Sequence, residues 1–109
     1  MKSYAVSVYG RVQGVGFRLM SRHVARRLGV VGWVQNNDDG SVAMIVQGED
    51  EKVRSLLDWI EQSPGLSVVD SVFIDECAFV PHEDFSIVRS GGIINDQKQS
   101  FKNLGRRLF

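Results

Sequence analysis

The sequence predicts an α+β fold in which an antiparallel sheet carries two helices on one face. Segments with the two-residue period of strands alternate with two segments of helical period. Their order is β-α-β-β-α-β with one further short strand, so each helix is a crossover that packs its apolar stripe against the sheet. The chain of 109 residues, 43% hydrophobic, has the size of one domain. We therefore expect a ferredoxin-like sandwich with an extra C-terminal edge strand.

The first strand is predicted over Ser3–Tyr9, where side chains alternate in polarity. One face of this strand consists of Tyr4, Val6 and Val8, and the other of Ala5, Ser7 and Tyr9. A glycine-rich loop follows, and then an amphipathic helix that ends at Gly29. The predicted apolar stripe of this helix consists of Met20, Val24 and Leu28.

Two β-rich segments, Val30–Gln35 and Ser41–Gln47, predict the second and third strands, joined by a short hairpin loop of Asn, Asp and Gly residues. They should pair antiparallel. The second helix is predicted over Asp50–Gln62, because acidic residues occupy its first turn and Pro64-Gly65 follow its end. Its apolar stripe consists of Val53, Leu56, Leu57 and Ile60.

A long strand is predicted over Val68–Phe79, a connection over His82–Asp84 and a short edge strand over Phe85–Arg89. Residues 1–89 would then form the domain, with nine basic and twelve acidic side chains. Residues 90–109 form a basic tail with four basic side chains and one acidic, which begins at a flexible Ser-Gly-Gly sequence.

The tail pattern fits either a short amphipathic basic helix or a disordered terminus. Asp96 and Gln99 resemble a capping pair, and Phe101, Leu104 and Leu108 share one side of such a helix. Three uses remain open for this tail. It could dock on its own acidic domain, contact a partner, or lie on an anionic membrane surface.

Amino-acid composition restricts the classes of function and location that we expect for this chain. The single cysteine, Cys77, cannot form an intramolecular disulfide, the first residues lack the apolar run of a signal sequence, and no 18 apolar residues run together. Thirteen basic side chains balance thirteen acidic ones, which removes a global attraction to nucleic acid. We therefore expect a cytoplasmic monomer with no nucleic-acid partner and no membrane span.

The segment with the clearest chemistry is GRVQGVGFR, residues 10–18, between the first strand and the first helix. Its three glycines allow consecutive N–H groups from Gln13 to Arg18 to point into one concavity, which binds an anion. The helix N-terminus adds its positive dipole end, and the planar guanidinium of Arg18 matches two phosphate or carboxylate oxygens. The alternative is an ordinary glycine turn with a solvated Arg18.

Asn36 ends the second strand and would face the same loop if the predicted topology is correct. A neutral amide carries a donor and an acceptor but takes no proton at ordinary pH, so its role there would be to orient a water molecule. The alternative is that Asn36 serves only the hairpin turn.

These motifs, together with Leu28-Gly29, GWVQN at residues 32–36 and DGSV at residues 39–42, resemble the acylphosphatase family over residues 3–89. The resemblance implies a small metal-independent hydrolase that cleaves an acyl phosphate to a carboxylate and inorganic phosphate, without a cofactor. It implies that Arg18 binds the phosphoryl group and that Asn36 positions the attacking water. The implied phosphate site consists of Val12, Gln13, Gly14, Val15, Gly16, Phe17 and Arg18.

Two other functions remain open: a non-catalytic anion-binding regulatory module, and the acylphosphatase-like domain of hydrogenase-maturation carbamoyltransferases. The short chain, without a cysteine-rich zinc segment, argues against the second. No role is predicted for His23. A metal shared by Asp75, Glu76, Cys77 and His82 is not expected, because neighbours on a strand point to opposite faces. Trp33 and Trp59 are predicted to be packing residues.

Overall fold

The computed structural model describes residues 1–89, which form five strands and two helices in the predicted order. The elements are β1 (Lys2–Arg11), α1 (Phe17–Leu28), β2 (Val31–Asn36), β3 (Val42–Gly48), α2 (Asp50–Glu61), β4 (Val68–Glu76) and β5 (Phe85–Val88). The tail predicted over residues 90–109 lies outside the described residues, so its boundary stays a prediction. Within residues 1–89, no helix is long and apolar enough to cross a membrane.

One sheet of order β4-β1-β3-β2-β5 organises the fold. The pairs β1–β3, β1–β4 and β2–β3 are antiparallel, as the predicted ferredoxin-like sandwich requires. The extra strand β5 pairs parallel to β2 at the sheet edge, so the complete sheet is mixed. Parallel pairing needs a long crossover, and here the chain travels from β4 at one edge to β5 at the other.

Both helices contribute to a single apolar core against the sheet. Its centre contains Phe17 of α1, Leu56 and Ile60 of α2, Met44 of β3 and Phe85 of β5, all at most 1% exposed. The predicted inner face of β1 is confirmed, since Val6 and Val8 are buried in this core and Tyr4 packs against it.

The apolar stripe predicted for α1 is confirmed only in part. Phe17, Ser21 and Ala25 are the buried residues of α1, while Val24 and Leu28 pack at the side of the core. Small side chains at Ser21 and Ala25 leave little volume between helix and sheet, so the helix axis can approach closely. A prediction based only on large apolar side chains therefore misses the residues through which α1 contacts the sheet.

The bounds of several elements differ from the predictions. The helix α1 begins at Phe17, because Gly16 takes a left-handed conformation directly before it. The strand β4 ends at Glu76 rather than at Phe79, since the chain turns there across the end of the sheet. The backbone N–H of Cys77 donates to Ser3 O, and Gln47 Nε2 donates to Val80 O, which fastens this connection.

The sheet is also buried on the face opposite the helices. A second cluster of Ala5, Trp33, Ala43 and Val88 lies there, each residue at most 4% exposed. Consequently β2 and β3 show almost continuous burial instead of the alternation that a half-solvated antiparallel sheet displays.

Candidate active site

The loop between β1 and α1 is shaped by two glycines. Gly14 and Gly16 have φ values of 74° and 78°, a region that other residues rarely adopt. Phe17, the first residue of α1, inserts its ring into the core 6.3 Å from the ring of Trp59, measured between centroids. The loop is therefore held between the end of β1 and an anchored helix N-terminus.

The backbone amides of this segment are available to a ligand. Over residues 12–19, no N–H group donates a hydrogen bond to any other residue within the described part of the chain. The first turn of a helix leaves its N–H groups unpaired, and the adjoining left-handed glycines extend that set into the loop. These unpaired groups, together with the positive end of the helix dipole, provide the donors that an anion cradle requires.

A cleft of about 160 Å³ opens over this cradle. Arg18 from the first turn of α1 and Asn36 from the end of β2 both line it, so the structure brings together the two residues singled out in the sequence. Its walls are formed by Val12, Gly14, Gly16, Phe17, Arg18, Leu19, Asn36, Ile87 and Arg89. The other two residues of the predicted phosphate site, Gln13 and Val15, do not line it with their side chains.

Arg18 is half-buried and has no acidic partner among residues 1–89. The ion pair found in this part of the chain joins Arg26 to Asp84, with Arg26 Nη2 2.7 Å from Asp84 Oδ2. That guanidinium bond also lowers the pKa of the Asp84 carboxyl. The guanidinium of Arg18 thus keeps its donors for an anion in the cleft.

Asn36 lines the cleft and carries an unsatisfied polar atom. Its Oδ1 is buried and accepts no hydrogen bond from any described residue. Because Val34 of the same strand lies in the helix-side core, alternation places Asn36 on that face too. A buried acceptor without a partner is uncommon and calls for a ligand or a water molecule.

Gln13 connects the cradle to the hairpin loop that follows Asn36. Its Nε2 donates to the carbonyl oxygens of Asn37 and Ser41, both at 2.8 Å. The hairpin is fixed further by Asp39, whose Oδ1 accepts from the Ser41 amide at 2.9 Å and from the Ser41 hydroxyl. These bonds to Ser41 lower the pKa of the Asp39 carboxyl. The position of Asn36 relative to the loop is therefore set by hydrogen bonds on both sides.

The sequence reasoning missed Arg89 and Ile87 at the cleft. In the parallel ladder Val34 pairs with Ile87 and Gln35 with Val88, so Arg89 follows beside Asn36. Alternation from Ile87, which packs against the helix-side core, places Arg89 on the same face. No acidic partner for Arg89 exists in residues 1–89. Finding these two residues requires knowing that β5 pairs with β2, and no local sequence pattern shows that pairing.

The other candidates fall outside the cleft. His23 is exposed on α1, and Asp75 and Glu76 pair with Ala5 and Tyr4 on opposite faces of the sheet. Within residues 1–89, no three His, Cys, Asp or Glu side chains come together as a metal site would require. Trp33 and Trp59 pack in the two apolar clusters, as predicted.

Comparison with known proteins identifies the family of this chain. Residues 4–87 match the acylphosphatase family. An acylphosphatase from Thiobacillus denitrificans is 49% identical over 76 residues, 70% of this chain and 85% of the relative. The crystal structure of an acylphosphatase from Bacillus subtilis has a TM-score of 0.78 at 35% identity, over 81% of this chain and 99% of that one. Full-length HypF, solved in a phosphate- and nucleotide-bound form, has a TM-score of 0.75 at 32% identity, over 84% of this chain and 12% of HypF. The chain belongs to the acylphosphatase family.

Proposed function

We propose that this protein hydrolyses the carboxyl–phosphate bond of small acyl phosphates in the cleft between Arg18 and Asn36. Its family consists of hydrolases acting on acid anhydrides, which supports the reaction class. The observation that carries the residue-level proposal is the convergence on one cleft of the free loop amides, Arg18 and the unsatisfied Asn36 Oδ1.

The reaction is a displacement at phosphorus. The oxygen of a water molecule forms a bond to phosphorus, the bond from phosphorus to the acyl oxygen breaks, and the carboxylate leaves with the electron pair. A carboxylate is a good leaving group, so the enzyme mainly has to stabilise charge and hold the water in line. The proton of the water passes to an oxygen of the phosphoryl group, which leaves as inorganic phosphate.

Arg18 and the amides of residues 12–19 bind the equatorial oxygens of the phosphoryl group. The guanidinium offers a planar pair of N–H donors, while the amides and helix dipole add fixed partial charges that need no reorganisation during the reaction. Arg89 adds a second positive charge at the cleft. These groups stabilise the negative charge of the transferred phosphoryl group, and the proposed reaction uses no metal ion or other cofactor.

Asn36 orients the attacking water. Its buried Oδ1 accepts a hydrogen bond from that water, which gives the orphaned acceptor a partner in the reactive complex. An amide does not take up the proton, so its contribution is to positioning, and the hairpin bonds through Gln13 and Asp39 hold it in place.

We also propose that the enzyme acts as a cytoplasmic monomer without a nucleic-acid partner. The balanced charge of the chain and its single cysteine support this assignment. The substrate is a small molecule, and the groups in the cleft recognise the phosphate that all acyl phosphates share. Within residues 1–89, apolar side chains such as Leu19 and Ile87 line the cleft and are available to contact the acyl group.

Binding of inorganic phosphate tests the cradle separately from turnover. Phosphate should raise the thermal unfolding temperature of the parent and inhibit hydrolysis competitively, because it occupies the phosphoryl site. Arg18→Ala should lose both effects. The matched control is Arg27→Ala, which removes an exposed arginine of the same helix outside the cleft and should keep both.

Two results would contradict the proposed function or the proposed site. Phosphate binding by the parent without hydrolysis of any acyl phosphate would point to an anion-binding regulatory module. Equal phosphate protection of the parent and Arg18→Ala would place the anion site elsewhere.

A further inference from the structure

The cleft differs in charge from the domain that surrounds it. Residues 1–89 carry nine basic and twelve acidic side chains, so their net charge is negative. Among these residues, two arginines, Arg18 and Arg89, nevertheless line the cleft, and no aspartate or glutamate does. Neither arginine forms an ion pair with an acidic side chain of the described chain. The cleft is therefore a positively charged site in an acidic domain, which favours a ligand with more than one negative group.

The two arginines reach the cleft from different parts of the fold. Arg18 belongs to the same continuous segment as the loop amides that have no acceptor among residues 1–89, so these donors form one group. Arg89 follows β5, the edge strand, which β3 and β2 separate from β1. Three strand spacings amount to roughly 14 Å between the ends of β1 and β5. Arg89 is therefore placed to bind a group of the substrate other than the phosphoryl oxygens held by the loop.

The in-line geometry of the proposed hydrolysis directs the acyl group toward the mouth of the cleft. Because β3 and β5 flank β2, a water molecule held by Asn36 lies on the sheet side of the phosphorus atom. The leaving oxygen departs from the opposite side of phosphorus in an in-line displacement. The acyl group then points toward solvent. Arg89 is exposed there, whereas Arg18 is half-buried.

We propose that Arg89 is a specificity-determining residue, which binds an anionic group on the acyl part of the substrate. The inference rests on the proposed function and deepens it: the preferred substrates are acyl phosphates that carry a second negative group, such as a carboxylate. A guanidinium donates two parallel N–H bonds to a carboxylate, which fixes the orientation of the acyl group. Leu19 and Ile87 also line the cleft and contact the carbon skeleton between the two anionic groups.

Two substrates that differ by one carboxylate, benzoyl phosphate and para-carboxybenzoyl phosphate, test the proposal on the full chain. Arg89→Gln should lower kcat/KM for the carboxylate substrate about fivefold more than for benzoyl phosphate, the effect of losing one exposed ion pair. High salt should reduce this difference by screening. Para-carbamoylbenzoyl phosphate, which has a neutral amide of the same size, should behave like benzoyl phosphate. Arg27→Gln is the matched control: it removes an exposed arginine of α1 outside the cleft and should keep the parent ratio.

Stable phosphonates test binding separately from turnover. Para-carboxybenzylphosphonate should raise the thermal unfolding temperature of the parent more than benzylphosphonate does, and Arg89→Gln should lose this difference. Equal losses of kcat/KM for the two substrates in Arg89→Gln would assign the residue to the phosphoryl group alone. An unchanged ratio would remove Arg89 from recognition of the acyl group, and either result would overturn the proposal. Absence of hydrolysis by the parent, with a phosphonate difference that depends on Arg89, would contradict the proposed function while supporting a second anion site at Arg89.

Discussion

At the scale of single residues, the chemistry of the cleft depends on the shape of its donors as much as on charge. Arg18 has no ion pair within residues 1–89 and lines the same cleft as the loop whose amides have no acceptor among these residues. A planar fork binds two oxygens of a phosphoryl group at once, whereas an ammonium binds as a point charge. The site should therefore distinguish arginine from lysine at this position.

We expect Arg18→Lys to lose activity despite its conserved charge. The predicted fall in kcat/KM is about 100-fold or more, the usual effect of removing an oriented donor from a transition state. Steady-state hydrolysis of benzoyl phosphate measures it, with thermal unfolding to confirm an intact fold. Near-parent turnover by this variant would contradict the assigned role of Arg18.

Asn36→Ala should separate catalysis from binding. Its kcat should fall by roughly 100-fold, since the attacking water loses its acceptor. Inhibition by phosphate should remain close to that of the parent, because Arg18 and the loop amides are untouched. Loss of phosphate inhibition in this variant would instead place Asn36 in the phosphate site.

The sequence indicated which residues would lie together only where residue type and local spacing are informative, and the roles predicted for them stay predictions. The glycine loop, Arg18 and Asn36 are recognisable by residue type and spacing, and the structure places them on one cleft. Arg89 was missed because its position follows from the parallel pairing of two strands that are distant in sequence. The tether through Gln13 was missed for the same reason, since its acceptors lie more than twenty residues away.

At the scale of elements, β2 depends on a close backbone approach at Gly32. Gly32 has a φ of 135°, and a Cβ atom at this position would collide with the carbonyl oxygen of Ile45 on β3. Because β2 ends at Asn36, its fit against β3 also sets the position of Asn36, for which we propose the water-orienting role.

Gly32→Ala should destabilise the fold by about 3 kcal/mol, since the change adds a backbone collision to a strained φ. Gly40→Ala is the control: its φ is 91°, but nothing lies near its added Cβ, so strain alone should cost roughly 1 kcal/mol. Urea unfolding midpoints compare the two. Equal destabilisation would show that the contact with Ile45 carries no penalty.

The sequence predicted the order and type of the helices and strands correctly. It predicted less well where each element ends and which side of α1 faces the sheet. Periodicity located both helices and all five strands, because apolar spacing reflects which face is buried. Periodicity did not identify Ser21 and Ala25 as buried residues of α1, because small side chains do not stand out in an apolar pattern. It also extended the β4 prediction to Phe79, since strand residues continue in the sequence after the ladder ends at Glu76.

At the scale of the whole molecule, the ferredoxin-like sheet brings together residues from three parts of the chain. The loop after β1, the end of β2 and the end of β5 meet at one cleft, although Arg18 and Arg89 are 71 positions apart. The fold class could be predicted from element order, but the direction of β5 could not, because either direction satisfies the same local pattern.

We propose that this cleft hydrolyses acyl phosphates through Arg18 and Asn36. The most direct measurement is hydrolysis of benzoyl phosphate by the purified full chain in chelator, beside Arg18→Ala and Asn36→Ala. We predict turnover by the parent that the chelator does not reduce and that each substitution lowers by about 100-fold or more. Absence of turnover in the parent would contradict the proposed hydrolysis, and full activity in either variant would contradict the role of the substituted residue.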